Sequence, residues 1–350
     1  MRTFALVAIL TAVVTAVGWL ALSRSTTTAA EKAASEAVAD PYVVYDGYEG
    51  PGKGKHIVLV AGDDEYRSEE LIPQLAKILA VRQGFRCTVL FAINKQSGEI
   101  DPMTCDNIPG LEALTTADLM VLFLRFRDLP DEQMKYIDDY TNSGRPIMGL
   151  RTSTHAFNIA KPKDTPYGKW SFRAGGETAG GYGRQVLGEN WVDHYGSHQR
   201  ESTRGLVAEG MENHPIVQGC EDIWGPSDVY AITTLSGDSR PLIMGQVLEG
   251  MNPNDKPNPN KKLVPVAWIK TYTGTQGKAS RVFTTTMGHA GDLKSEGFRR
   301  LLVNACYWCM GMEDQIAARS QVDLVGEYEP GNIGMGGHKK GLKPGDLKIR

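Results

Sequence analysis

The sequence predicts an α/β protein built on a mainly parallel sheet, and three observations carry that prediction. Short apolar runs, His56–Ala61, Phe85–Ile93, Leu119–Phe126 and Ile147–Leu150, have the length and continuity of strands buried on both faces. Helical patterns lie between them, with Leu71, Leu75, Ile78 and Leu79 forming one apolar stripe and Met134, Ile137 and Tyr140 another. Each stripe stops at a glycine, Gly84 or Gly144, the residue that most readily closes a helix. Strands and helices alternating in this order give a parallel sheet covered on both faces.

The elements can be justified in order. Met1 and Arg2 precede an almost uncharged run, Phe4–Leu22, and small residues follow it, the marks of an export signal. The run also approaches the ~20 residues of a spanning helix, so an uncleaved membrane anchor is the alternative. Either way the body is expected outside the cytoplasm, periplasmic or anchored. Residues 1–24 are assigned to this segment, 25–41 to a linker, 42–315 to the folded body and 316–350 to a tail. Ser68 with Glu69 and Glu70 begins the first helix, because acidic groups complement its positive end. Pro130 begins the second at its preferred early position. After Leu150 the alternation fails. Lys161–Glu201 is rich in glycine and aromatics and reads as an ordered insertion over the strand tips. Further strands are expected at Thr203–Ala208, Val229–Thr233, Leu242–Leu248, Leu263–Thr271 and Arg281–Met287. Asn252–Lys262 reads as a hairpin loop and Ser295–Met312 as the closing helix. From Gly326 the tail is either an extended strap or loose.

Composition narrows the function. With 350 residues and 41% hydrophobic content the chain can bury a large core, and its net charge of -3 argues against a general nucleic-acid binder. Five cysteines are too few and too irregular for a disulfide scaffold. Cys306 and Cys309 form a C-x-x-C inside a helical pattern with no second pair nearby, so they read as small core residues.

In open α/β sheets ligands gather beyond the carboxyl ends of the strands. Ile147–Leu150 stops at Arg151, Thr152, Ser153, Thr154 and His155, and the first strand stops at Asp63, Asp64, Glu65, Tyr66 and Arg67. Ser153 lacks a G-x-S-x-G turn and is expected to cap a following helix rather than attack. Of seven histidines, His155, His194, His198, His214 and His289 fall at strand tips or in the insertion. Imidazoles converging there suit proton transfer near neutral pH. His289 is expected to pair with Asp292, Glu177 or Glu201, or else to cap the closing helix. His194 and His198 are four apart, a metal-ligand spacing if helical, although Gly196 lies between them. Trp170, Tyr182, Trp191, Tyr195 and Trp224 interleave with Arg173, Arg184 and Arg200, the mixture of flat apolar faces and polar groups that a sugar site uses. Asp228 and Tyr230 are expected to feed the same crevice. The candidates for catalysis are therefore His155, His198, His289 and Arg151. Those for substrate binding are Asp63, Glu65, Tyr66, Arg67, Trp191, Tyr195, Asp228 and Tyr230, and those for a metal are His194 and His198.

HIVLVAGDDEYRSEE, GLRTSTHAF, WVDHYGSHQRESTRG, HPIVQG, SDVY and RVFTTTMGHAGD together resemble the ThuA-like (trehalose utilisation) family, over roughly Tyr42 to Met312. The tail GEYEPGNIGMGGHKKGLKPGDL is similar to that of exported planctomycete-type members. The resemblance implies a fold related to class I glutamine amidotransferases, a flavodoxin-like three-layer sandwich. At the places of the amidotransferase cysteine and His-Pro-Glu stand Arg151 and His289, the latter followed by Ala290 and Gly291. Arginine cannot act as the nucleophile, so amidotransferase chemistry is not expected. What the resemblance implies instead is processing of disaccharides or oxidised 3-keto sugars. On a keto sugar, His155, His198 or His289 would remove the acidic proton beside the carbonyl while Arg151 steadies the enolate oxygen. A non-catalytic glycan-binding or scaffold module tethered at the membrane, and a metal-dependent hydrolase, are the alternatives. The expected partner is a small-molecule or oligosaccharide substrate, with no nucleic acid and with membrane contact only through an uncleaved amino-terminal segment. A homo-oligomer is compatible with the sequence. No cofactor is required, and a divalent metal is the alternative.

Overall fold

The structure, a computed structural model, describes residues 41–232 and 234–349. The export or anchor segment predicted for residues 1–24 lies outside them. Among the described residues no helix is long and apolar enough to cross a membrane.

Ten strands form one sheet: β1 (Tyr42–Tyr45), β2 (His56–Gly62), β3 (Arg86–Phe91), β4 (Leu119–Leu124), β5 (Ile147–Leu150), β6 (Thr203–Val207), β7 (Trp224–Gly225), β8 (Arg240–Val247), β9 (Val264–Thr273) and β10 (Ala279–Thr285). Their spatial order is β1-β3-β2-β4-β5-β10-β9-β8-β6-β7. β3, β2, β4, β5 and β10 run parallel at its centre, and antiparallel strands continue it on either side. The apolar runs take these central places because both of their faces are covered. Ile57, Leu59, Val121 and Phe123 join one core with residues of α1 (Ser68–Gln83) and α3 (Glu296–Cys309). Val58, Val60, Met120 and Leu122 join a second core with Met134, Ile137 and Tyr140 of α2 (Asp131–Asn142). Alternate side chains of one strand thus serve opposite cores, as the pleat requires. The α/β class is the observed one.

Two glycines do specific work here. Gly84 closes α1 in the left-handed conformation, with φ 84°, its N–H bonding the Ala80 carbonyl. Gly149 has no side chain because Leu187 of the insertion lies against β5, where a Cβ would sit 2.6 Å from its Cδ1. The insertion is ordered as short turns, and its Trp170, Tyr182, Val186 and Leu187 are buried in the second core.

Two expectations need correction. The strand expected at Val229–Thr233 is not a strand of the sheet over its described residues, 229–232. Its backbone pairs with the insertion, through Tyr195 N–H to the Val229 carbonyl and Ala231 N–H to that of Asp193. Ser153 caps no helix, because a 3-10 turn, Arg151–His155, follows β5. Its hydroxyl donates to the Leu122 carbonyl (2.8 Å) and accepts from Leu124 N (3.2 Å), tying the turn to β4. The short edge strands β1 and β7 went unpredicted, since two to four residues are too few to show a period. Of the two alternatives for the tail, the extended strap is the observed one, with Tyr45 Oη bonding the Leu347 carbonyl. Cys306 and Cys309 are free and buried in α3, as their spacing suggested.

Candidate functional site

The chain order reverses between β2 and β4: from β2 it moves outward to β3, then crosses to β4 and β5 on the other side. A crevice opens at the strand tips beside such a switch. Three tips carry non-glycine residues at positive φ: Arg67 (63°) after β2, Phe126 (51°) after β4 and Arg151 (47°) after β5. Such backbone is costly for these residues and gathers where side chains must be aimed.

Arg151 is aimed inward, not at a ligand. It is fully buried, with its guanidinium 4.1 Å from the centre of the Tyr66 ring and 4.8 Å from that of Tyr230. Nη1 donates to the carbonyls of Asp228 and Thr286, and Nη2 lies 3.3 Å from Asp228 Oδ1. These bonds fix Asp228, itself fully buried. The Asp228 carboxylate then receives two imidazoles from the insertion, His194 Nδ1 at 2.5 Å from Oδ2 and His198 Nδ1 at 3.0 Å from Oδ1. Burial alone would raise the Asp228 pKa, but the His194 hydrogen bond and the Arg151 and histidine charges outweigh it and hold it at about 2. The two half-buried rings are 4.9 Å apart. His198 Nε2 faces Glu65 Oε1 at 3.5 Å, whereas Nε2 of His194 has no hydrogen-bond partner among the described residues.

An aromatic wall stands beside them. Trp191, half-buried, lies 5.0 Å from His155 and 6.2 Å from His194, and Phe126 lies 4.9 Å from His155. Arg125 stacks on Phe126 at 4.7 Å and pairs with Asp64 (2.9 Å) and Glu65 (3.3 Å). Arg125 and Phe126 were missed from sequence, although a charged residue ending the run LMVLFL is the same signal that drew attention to Arg151. A separate cavity of about 400 Å³, lined by Lys95, Asp128, Asp131 and Lys161 among others, shares no residue with this cluster.

The remaining candidates are placed as follows. His155 is buried in the aromatic wall, its Nδ1 3.1 Å from Thr154 Oγ1, and burial together with the Arg125, Arg151 and His194 charges holds its pKa well below the imidazole range. His289 caps the 3-10 turn Ala290–Lys294: Nδ1 accepts from Gly291 N (3.1 Å) and Nε2 faces the Gly331 carbonyl (3.2 Å). Burial, then the Arg151 charge, pulls its pKa down to about 4. No imidazole–carboxylate pair forms there, because Asp292 Oδ2 accepts instead from Gly288 N, His289 N and Ser227 Oγ. Glu177 is exposed, and Glu201 accepts from Ser197 N and Asn258 Nδ2. His214 caps its own turn at Ile216 N. Of the predicted substrate contacts, Glu65 and Trp191 reach the opening, whereas Asp63, Tyr66, Arg67, Asp228 and Tyr230 are buried supports. Asp63 accepts from Glu65 N, Tyr66 N and Thr152 Oγ1, which shapes the turn that carries Glu65. Tyr195 instead pins the hairpin loop, with its hydroxyl accepting from Lys262 N.

The family model described as trehalose utilisation, ThuA, matches residues 58–309. The chain belongs to the ThuA family. It is thereby related to carbohydrate utilisation. Among solved structures it is similar to a ThuA-like protein from Parabacteroides merdae, at 16% identity and a TM-score of 0.47, over 74% of this chain and 90% of that one. It is also similar to the mmIFT52 N-terminal domain, at 11% identity and a TM-score of 0.39, over 73% of this chain and 97% of that one. Among curated proteins none matches.

Proposed function

We propose that this ThuA protein is exported and processes a disaccharide or 3-keto sugar at the crevice beyond β2, β4 and β5, by acid/base chemistry of its paired histidines. The observation that carries the reading is the single buried carboxylate, Asp228, orienting both His194 and His198 (2.5 and 3.0 Å) beside Trp191. A carboxylate on Nδ1 fixes ring and tautomer and leaves Nε2 for a substrate proton. In a keto sugar that proton sits on the carbon beside the carbonyl. His194 takes it through Nε2 and the C–H electron pair moves into the enolate; His198 then gives the Nε2 proton that faces Glu65 either to the former carbonyl carbon, the hydroxyl proton of the first carbon passing to the former carbonyl oxygen, or to the leaving oxygen. Isomerisation results in the first case, elimination in the second. Arg151, named from sequence as the enolate's partner, acts here by fixing Asp228, and Arg125 is the cation at the opening. Trp191 supplies the flat face for a sugar ring. The finer architecture is taken as a flavodoxin-like three-layer sandwich, which the two cores with helices on opposite faces support.

His194→Gln and His198→Gln, made singly, test this with 3-keto-trehalose. Turnover should fall about 10²-fold or more while calorimetric binding stays within a few-fold; full turnover by both variants would defeat the reading.

A second reading has its own observation. One ligand atom each from His194, His198 and Asp228 fall within 4.8 Å of one another, a two-histidine, one-carboxylate set that suits zinc or iron. Such a metal would polarise a substrate oxygen or activate water, although Arg151 competes for the same carboxylate. Elemental analysis of the purified protein separates the two. The tethered, non-catalytic module is separated by sugar binding that survives both substitutions without any turnover in the unmodified protein.

A further inference from the structure

Beyond α3 the chain turns back across the strand tips, and the proposed chemistry does not use this segment. Tyr328 donates its hydroxyl to the Ala290 carbonyl (2.8 Å). Gly331 N donates to Glu70 Oε2 (2.7 Å), and its carbonyl faces His289 Nε2. Gly334 N donates to the Glu65 carbonyl (2.9 Å), and its own carbonyl accepts from Arg67 Nη1 (3.0 Å). The strap thus links the turn after β10 to the turn after β2, and the latter carries Glu65.

Its glycines explain how it is held. Gly331, Gly334 and Gly337 recur every third residue, and all three enclose one side chain. A Cβ on Gly331 would lie 3.1 Å from Arg67 Nε, and one on Gly337 would lie 2.1 Å from Nη2. Arg67 is buried, 6% exposed, and stands in the left-handed conformation at the amino end of α1. An arginine that accepts this backbone, with its guanidinium packed against Gly331 and Gly337 and bonded to the Gly334 carbonyl, is a latch. It is not the substrate contact that the sequence suggested.

We propose that Arg67 and the glycine strap are positioning elements: the latch fixes the loop that presents Glu65, and Glu65 in turn sets the orientation of His198. Glu65 is held by its backbone to Asp63 and Gly334, and its carboxylate spans Arg125 (3.3 Å) and His198 (3.5 Å). His198 is therefore oriented from two sides, by Asp228 at Nδ1 and by Glu65 at Nε2. The inference rests on the histidine reading for its functional meaning, but its physical content can be read without any substrate.

Arg67→Ala, Arg67→Lys and Gly337→Val in the full chain test it, the last crowding the latch from the strap side with Arg67 and α1 intact. The readouts are amide exchange at Gly331 and Gly334 and the imidazole NMR signals of His198 and His194. Arg67→Ala and Gly337→Val should speed exchange at both amides about tenfold, the loss of charge-assisted hydrogen bonding. Both should move the His198 ring signals and leave those of His194 in place, and Arg67→Lys should restore part of each effect. A freed strap with unmoved His198 signals overturns the proposal, and so does unchanged exchange in both variants. If His198 moves as expected while even the unmodified protein fails to turn over 3-keto-trehalose, the latch stands and the sugar reading fails.

Discussion

Replacing Asp228 by asparagine removes the one charge that the buried cluster shares. The carboxylate is fully buried and meets Arg151 Nη2 at 3.3 Å, His194 Nδ1 at 2.5 Å and His198 Nδ1 at 3.0 Å. Its pKa is held at about 2, against 3.8 for the free group, by the His194 hydrogen bond and the Arg151 charge. That lowering corresponds to about 2–3 kcal/mol favouring the folded state while the group is ionised. Because the folded value is depressed, this stability is complete above about pH 4 and is lost as pH falls toward 2. The substitution also leaves the Arg151 guanidinium buried without its partner, which raises the expected loss to about 3–5 kcal/mol. Urea unfolding at pH 7 measures it. A companion variant decides the cause: Asp228→Ala with Arg151→Met removes both charges and should recover much of the loss, since a buried pair replaced by apolar groups is often near neutral. Turnover should fall by about 10²-fold or more in either variant. A loss below about 1 kcal/mol for Asp228→Asn, or a double variant no better than Asp228→Ala alone, would refute the reasoning.

Asp292 is buried, and burial outweighs Arg151 and its hydrogen bonds to raise its pKa from 3.8 to about 6. A raised carboxyl stabilises the fold while protonated, so that contribution, about 3 kcal/mol, is present below about pH 4 and lost as pH climbs to about 6. Asp292→Asn should flatten the stability profile over that window, as thermal denaturation at pH 4, 5, 6 and 7 in stepwise buffers would show. Ser153→Ala strips Leu124 N of its partner in the core and should cost about 1–3 kcal/mol by urea titration, with the candidate site otherwise formed. Trp191→Ala, by contrast, should leave stability within about 1 kcal/mol and weaken calorimetric sugar binding about tenfold, because its half-buried ring faces the opening.

The central strands were legible because five parallel strands buried on both faces impose unbroken apolar runs, of which LMVLFL is one. The location of the candidate site followed from where those runs stop. What the sequence did not reveal is which tip residues turn inward. Arg151 and Arg125 end neighbouring strands in the same manner, yet one is wholly buried by Tyr66 and Tyr230 and the other stays at the opening. That difference depends on the return of Asp228 from more than seventy positions away, a contact with no local signature. His194 and His198 were noticed for their spacing, but no helix holds them; a backbone bridge between His194 and Tyr230 does. The same bridge explains why Val229–Thr233 looked like a strand: its described residues, 229–232, are mostly apolar and pair with the insertion rather than the sheet. His289 sits where a catalytic residue would, and only the strap, which has no period to read, shows that both of its ring nitrogens are engaged.

The account turns on whether the histidine pair moves a proton on a keto sugar, and solvent-deuterium incorporation measures that directly. With 3-keto-trehalose in D₂O, proton NMR should show the hydrogen beside the carbonyl washing out faster with the protein than without it, and His194→Gln should return the rate to background. Exchange at the background rate with the unmodified protein, or exchange that persists unchanged in His194→Gln, would contradict the assignment.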